Sequence, residues 1–403
     1  MRAKTGVWLI GACGNVGAVT VAGARAIARG LAGRTGLVTE LKEVRGLPLP
    51  AVEDLVFGGH EVSGRTLWES ARDFGRRAGV LTDRLLEPLK EDLDAIQADV
   101  RPGLPQRPVR TIGGSPRAAA GPRAAVEAVQ EDVRAFRDRH GLADVVVVNV
   151  ATTEPLPEAR PEWGSLTRMR GALEDDRAEV FPPSMLYAYA ALDAGFPYVN
   201  FTPSTGSSVP ALDELARARG TVHAGRDGKT GETLVKTTLA PLFAFRNLKV
   251  LAWEGYNMLG NPDGEALREP RTRESKAVSK DRSLRAILGE QAGHSSVHID
   301  FVPSLDDWKV AFDYIHFEGF LGARMAMQFT WQGCDSALAA PLVLDLARLS
   351  ALAHARREKG ALDFLACVFK DPYGVDVHSF TEQFDLLRAW VTRTTKESQA
   401  RSA

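Results

Sequence analysis

Residues 6–23 read GVWLIGACGNVGAVTVAG, and the order of textures within them decides the fold. Residues 6–10 are a short apolar run with the length of a buried strand. Glycines then recur at Gly11, Gly14 and Gly17, and the chain continues as AVTVAGARAIARGL over 18–31, a helical composition. Strand, glycine turn and helix in this order open a doubly wound α/β domain. The glycines let the backbone turn tightly and approach a pyrophosphate, whose charge the following helix N-terminus meets. Gly11, Gly14, Asn15, Val16 and Gly17 are therefore candidate dinucleotide contacts, although G-x-x-G-x-x-G is one residue longer than the usual fingerprint. An acidic residue is expected further on, for the adenosine ribose hydroxyls. Glu40 and Glu43 fall near the usual distance. Glu61 is the better candidate, because it ends the apolar, glycine-bearing run 55–61, LVFGGHE. Spacing alone does not choose among the three.

Further along, DVVVVNVA at 144–151 is a continuous apolar run, implying a strand buried on both sheet faces. YVNF at 198–201 follows a helix expected from Pro182-Pro183-Ser184 to Gly195. This alternation predicts a mostly parallel sheet. Residues 101–123, rich in Pro, Gly and Arg, read as a surface loop. Beyond Asp227 the texture changes: 247–256, 296–302 and 309–316 alternate apolar and polar residues, as in a sheet with one face covered. Residues 338–357 return to helix, with Leu338, Leu342, Leu346 and Leu349 on one face. The polar 394–403 are expected to fray.

With 403 residues the chain suggests two lobes or one domain with a large insertion. Lys+Arg (50) and Asp+Glu (51) nearly cancel, which argues against nucleic acid as a partner. Cys13, Cys334 and Cys367 are odd in number and lack C-x-x-C spacing, so a reducing compartment fits best. Met1-Arg2-Ala3-Lys4 before an apolar run resembles a secretory signal, but the regular glycines have no purpose in one. No apolar stretch is read as reaching the ~20 residues of a membrane span. A cytoplasmic protein without membrane partners is expected.

The most unusual text is 256–284, YNMLGNPDGEALREPRTRESKAVSKDRSL. Lys276 and Lys280 stand at i, i+4, on one face of a helix, where the ammonium groups repel unless an anion lies between them. An anion site and a solvated basic face fit this text equally well. His294 and His298 carry little weight as metal ligands, because the segment reads as strand. Cys334 reads as a small buried residue, and no metal site is expected.

Several ordered blocks resemble the inositol-1-phosphate synthase family, in its shorter archaeal and bacterial branch. They are the turn at 11–17, FGGHEVS at 57–63, VVVNVATTEP at 146–155, PPSMLYAYAALDAGFPYVNFTPS at 182–204 and AGRDGKTGET at 224–233. LGNPDG at 259–264, SKAVSK at 275–280, DDWKVAFD at 306–313 and GCDSALAAPLVLDL at 333–346 continue the series. The likeness is weakest across 85–140 and after 375. It implies a Rossmann-type doubly wound parallel sheet over 1–240, completed by 335–403, and an inserted α+β catalytic and tetramerisation domain at 241–334. It carries the family's catalytic lysines onto Lys276, Lys280, Lys309 and Lys370, with Asp263 and Asp307 beside them. NAD contacts fall on the glycine turn, Glu61, Thr153, Thr202, Asp227 and Asp335. A homotetramer is implied as well. Arg226, Glu274 and the lack of a paired asparagine in the turn depart from the family pattern.

The chemistry so implied converts glucose 6-phosphate to 1L-myo-inositol 1-phosphate without net redox change: oxidation at carbon 5, enolisation, intramolecular aldol closure and re-reduction. Alkoxide, enolate and aldolate oxygens each develop negative charge beside a phosphate, and clustered ammonium groups meet that demand. Lys276 or Lys280 would transfer the carbon 5 protons, while Lys309 and Lys370 would stabilise oxyanions and help hold phosphate. The same machinery would serve another sugar phosphate, such as fructose 6-phosphate closing to a five-membered ring. A plain dehydrogenase or a non-catalytic nucleotide-binding protein would leave the lysines unexplained.

Overall fold

The computed structural model describes residues 4–105, 116–155, 157–261 and 284–402, so Asp263, Glu274, Lys276 and Lys280 lie outside the described residues. The apolar run at the start forms β1 (Thr5–Ile10), which pairs in parallel with β2 (Leu55–Glu61) and β4 (Asp144–Asn149). Strand side chains alternate between faces, so β1 feeds two cores. Val7 and Leu9 pack under α1 (Asn15–Ala28), whereas Trp8 and Ile10 pack under α2 (Pro122–His140) and α3 (Pro183–Asp193). With β3 (Val100–Pro102), β5 (Tyr198–Asn200), β6 (Val222–Gly225) and β11 (Gly360–Ala361) they make a seven-stranded sheet, ordered β11-β6-β5-β4-β1-β2-β3. Every pairing in it is parallel. Chain order reverses beside β1, and at such a switch point the loops leaving the strands diverge into a crevice.

Between β6 and β11 the chain makes α4 (Glu232–Phe245) and a second sheet, ordered β10-β9-β7-β8. Its strands are β7 (Lys249–Leu259), β8 (Ala292–Phe301), β9 (Trp308–Glu318) and β10 (Arg324–Cys334). One face is covered by α4, where Phe243, Trp253 and Ile315 form a small core. α5 (Asp335–Ala355) then returns the chain to the first sheet, and α6 (Phe380–Ser402) closes the description.

Three expectations need correction. α5 is long and apolar enough to cross a membrane, contrary to the reading that no stretch was, but 78% of its apolar window is buried inside the protein. Its burial on nearly all sides, rather than on one leucine face, explains the composition. Residues 394–402 do not fray but continue α6, because Leu387, Trp390, Val391 and Thr394 are buried and Trp390 stacks on Phe364 at 4.0 Å. The stretch read as loop from 101 includes the end of β3, and α2 begins at its far end.

Candidate active site

The glycine turn is held against β2: His60 O accepts the Gly11 N–H at 2.9 Å and the Ala12 N–H at 3.1 Å. Gly11 has φ +86°, and a Cβ there would stand 2.8 Å from Ala151 Cα; one on Gly17 would stand 2.5 Å from the Ala12 carbonyl oxygen. Neither position accepts another residue without moving backbone. Gly14 caps α1 without a side-chain acceptor, leaving its first N–H groups facing the crevice for an anion. Of the three candidate acids, Glu61 is the one at the glycine turn. Glu61 Oε2 accepts Cys13 N–H at 2.8 Å, and Oε1 accepts the N–H groups of Val62 at 2.8 Å and Ser63 at 2.9 Å. Glu40 pairs with Arg34 at 3.3 Å in a different cavity, and Glu43 is exposed.

A cavity of about 280 Å³ opens here, lined by Gly11, Gly14, Asn15, Glu61, Asp307 and Asp335 among others. A smaller one of about 80 Å³ shares Val16, Ala151 and Asp335 with it and adds Thr153, Thr202, Asp227, Lys309 and Lys370. The two lysines come from distant text. Lys309, at the start of β9, lies 3.5 Å from Asp335 Oδ2, while Asp335 Oδ1 accepts the Thr230 hydroxyl at 2.8 Å. Lys370 Nζ is 2.7 Å from Asp227 Oδ1. Asp227 is itself fixed by its N–H donating to Thr202 O at 2.9 Å. Gly228 bridges Phe369 antiparallel, flanked by Lys370 N–H to Asp227 O at 2.7 Å and Lys229 N–H to Val368 O at 2.8 Å. Arg226 turns to Asp371 at 2.8 Å, which accounts for one departure from the family pattern. Thr153 Oγ1 is buried and has no hydrogen-bond partner among the described residues, as a group awaiting a ligand would be.

Asp307 is placed differently from the lysines. It is buried, and its carboxylate accepts Ser336 N–H at 2.7 Å, Ser336 Oγ–H at 2.9 Å and Asn15 Nδ2–H at 3.3 Å. It thereby ties α1, α5 and the strand of Lys309 together, which is a scaffolding task. Burial raises its carboxyl above the usual range. Asp307→Ala is expected to cost about 3 kcal/mol, since it orphans several buried donors. Denaturant unfolding checks this; a variant as stable as the parent would remove the scaffolding role.

Sequence reasoning missed His60 and Lys229. His60 is buried, accepts Trp8 Nε1–H at Nδ1 (3.3 Å) and faces Asp132 at 3.0 Å through Nε2; burial lowers its pKa. The signal was a histidine inside a glycine-rich strand end. Lys229 stands between two glycines in G-K-T-G, inside a block already quoted. His294 and His298 both approach Glu254, at 3.0 and 3.7 Å. Among the described residues no group of three or more His, Cys, Asp or Glu gathers to hold a metal. The buried Cys334 thiol is pushed up to about 12, first by burial.

The family model described as myo-inositol-1-phosphate synthase matches residues 5–392. The chain belongs to that family. It is 32% identical to inositol-3-phosphate synthase 1 of Bacteroides thetaiotaomicron, over 96% of this chain and 93% of the relative. It is 30% identical to the inositol-3-phosphate synthase of Spirodela polyrhiza, over 87% and 74%. The solved inositol-3-phosphate synthase of Caenorhabditis elegans superposes with a TM-score of 0.84 at 25% identity, covering 98% of this chain and 86% of that one. This family member is an NAD-dependent enzyme. The residues present fit the cofactor: a turn that only glycine can make, an uncapped helix start, a carboxylate at the end of β2 and an orphaned threonine hydroxyl further in.

Proposed function

We propose that the chain closes glucose 6-phosphate into 1L-myo-inositol 1-phosphate with no net redox change. The observation carrying this is that Lys309 and Lys370, each beside a carboxylate, converge on a pocket that shares a wall with the nucleotide cavity. The glycine turn, Glu61 and Thr153 would hold NAD, which would supply the hydride exchange at carbon 5. Lys370, backed by Asp227, exchanges a proton with a sugar oxygen. Lys309 meets oxyanion charge and the phosphate. The phosphate fits the start of α4, where Thr230 and Gly231 precede the first turn. The carboxylate of Glu232, also in that turn, does not oppose it, being drawn 2.6 Å from buried Lys236. The family resemblance assigns Lys276, Lys280 and Asp263 to the same chemistry; all three lie outside the described residues.

The test is to supply NAD with glucose 6-phosphate and follow product by NMR and NADH by absorbance. Inositol phosphate without NADH accumulation is expected. Stoichiometric NADH, or a product made from fructose 6-phosphate instead, would overturn the proposal.

We further propose a homotetramer built on the second sheet. Its support is the exposure of Tyr256, Phe312 and Met325 there, with Phe320 and Leu321 at the adjoining turn. Light scattering should give four times the 43.7 kDa of one chain; a monomer would sink the idea. Free, buried cysteines support a cytoplasmic setting.

A further inference from the structure

A cavity of about 800 Å³ takes no part in the reaction described above. It opens at the end of the parallel sheet where strands begin: Thr5 and Asp144 are the first residues of β1 and β4, and Asp54 directly precedes β2. The glycine turn leaves β1 at the opposite end. α5 joins the two ends, since Asp335 in its first turn lines the nucleotide cavity and Arg348 lies about 20 Å further along. Leu47, Leu49, Pro50 and Leu352 give this cavity an apolar wall.

Two donors on its lining are left over. Arg348 is 6% exposed; its Nε donates to Pro50 O at 2.7 Å and its Nη1 to Thr39 Oγ1, while Nη2 donates to nothing among the described residues. Thr5 is also 6% exposed, and its hydroxyl has no hydrogen-bond partner among the described residues. Neither atom is sealed inside the protein, and both residues line the cavity. A guanidinium edge and a hydroxyl withdrawn from bulk water without acceptors are costly, so the cavity lacks an acceptor that the fold does not supply.

The charges nearby select that acceptor. Arg34 is held by Glu40 at 3.3 Å and by Glu53, and Asp144 by His354 at 2.6 Å. Glu40 and buried Asp345 stand 3.7 and 3.9 Å from Arg348 Nη1, so its charge is already partly met. Arg45 on the lining is exposed to solvent, and Asp54 adds a further carboxylate. A single negative charge suits the remaining guanidinium edge, whereas a phosphate dianion would face these carboxylates with one buried cation to hold it.

We propose that this cavity is a second ligand site, for a monocarboxylate with an apolar body: the carboxylate accepts from Arg348 and Thr5, and the body lies on the leucines.

The test uses the full chain saturated with NAD, so that the nucleotide cavity is filled, and 2-naphthoate as the probe, followed by calorimetry. One site per chain is expected. 2-Naphthalenemethanol, which carries the ring without the charge, should bind about tenfold more weakly, and Arg348→Met should weaken naphthoate by at least that factor. Inorganic phosphate should not displace naphthoate. Thr5→Val keeps the side-chain shape and should weaken naphthoate about fivefold by removing a neutral donor. Leu49→Trp, which fills the cavity, should abolish binding. Unchanged NAD affinity shows that a variant has folded; should Arg348→Met fail to fold, Thr5→Val and Leu49→Trp carry the test. Naphthoate that does not bind the NAD-saturated wild type, or that binds Leu49→Trp as well as wild type, overturns the proposal. Phosphate that displaces naphthoate overturns the ligand class and the proposal with it.

Discussion

Lys309→Met is expected to lower turnover by about 10³-fold while NAD binds with nearly unchanged affinity, and Lys370→Met should do the same. The size follows from what each ammonium faces. Removing one preorganised donor to a developing oxyanion costs roughly 10²–10³ in kcat, and here the lost group also carries full charge into a pocket with carboxylates on its wall. Lys309→Met leaves Asp335 without the cation 3.5 Å away, and Lys370→Met leaves Asp227 without the one at 2.7 Å. Each variant thus replaces a stabilising charge by a repelling one, which places the loss at the upper end of that range. Neither lysine lines the larger cavity around the glycine turn, so calorimetric NAD titration should separate chemistry from cofactor binding. Turnover within tenfold of wild type in both variants would remove the charge-stabilising role.

Glu61→Lys is expected to weaken NAD binding by about 100-fold, or about 2.7 kcal/mol. Glu61 takes the Cys13 N–H at 2.8 Å on one oxygen and the Val62 and Ser63 N–H groups on the other, so it holds the turn as well as facing the cavity. A lysine offers no acceptor to any of them, and each unsatisfied donor adds a penalty. Titration of the variant with NAD checks the figure; affinity within threefold of wild type would show that the carboxylate is not part of the cofactor site.

The opening strand, turn and helix were legible because their signals are local: a short continuous apolar run, glycines and an alanine helix within 24 residues (5–28). Glu61 was readable as the better of three acids, but spacing did not fix it, because its place depends on strand register. Glu61 reaches the turn since Ile10 pairs with His60, and residues 29–54 intervene before β2 begins. The pairings Lys309 with Asp335 and Lys370 with Asp227 join text too far apart for any periodicity to connect, and only the resemblance brought those residues together on the page. β10 escaped notice because its covered face is only partly buried, Met327 and Phe329 packing on the small core between exposed neighbours. β11 escaped because two residues carry no period at all. α5 was legible as a helix, but its burial on nearly all sides was not, because its leucines alone suggested one covered face.

The ladder between 227–229 and 368–370 has a consequence for how the enzyme comes into being. During synthesis the nucleotide turn emerges first, and the strands around it can pair as they follow. Lys370 leaves the ribosome more than 350 residues after Gly11, together with the two-residue strand that extends the sheet beyond β6. α1, which follows the turn, shares one core with α5 and α6, so the turn reaches its final packing only when that late text has emerged. The nucleotide side and the lysine side of the crevice therefore become whole together, late in the chain, since Asp335 lines both cavities and Lys370 follows it.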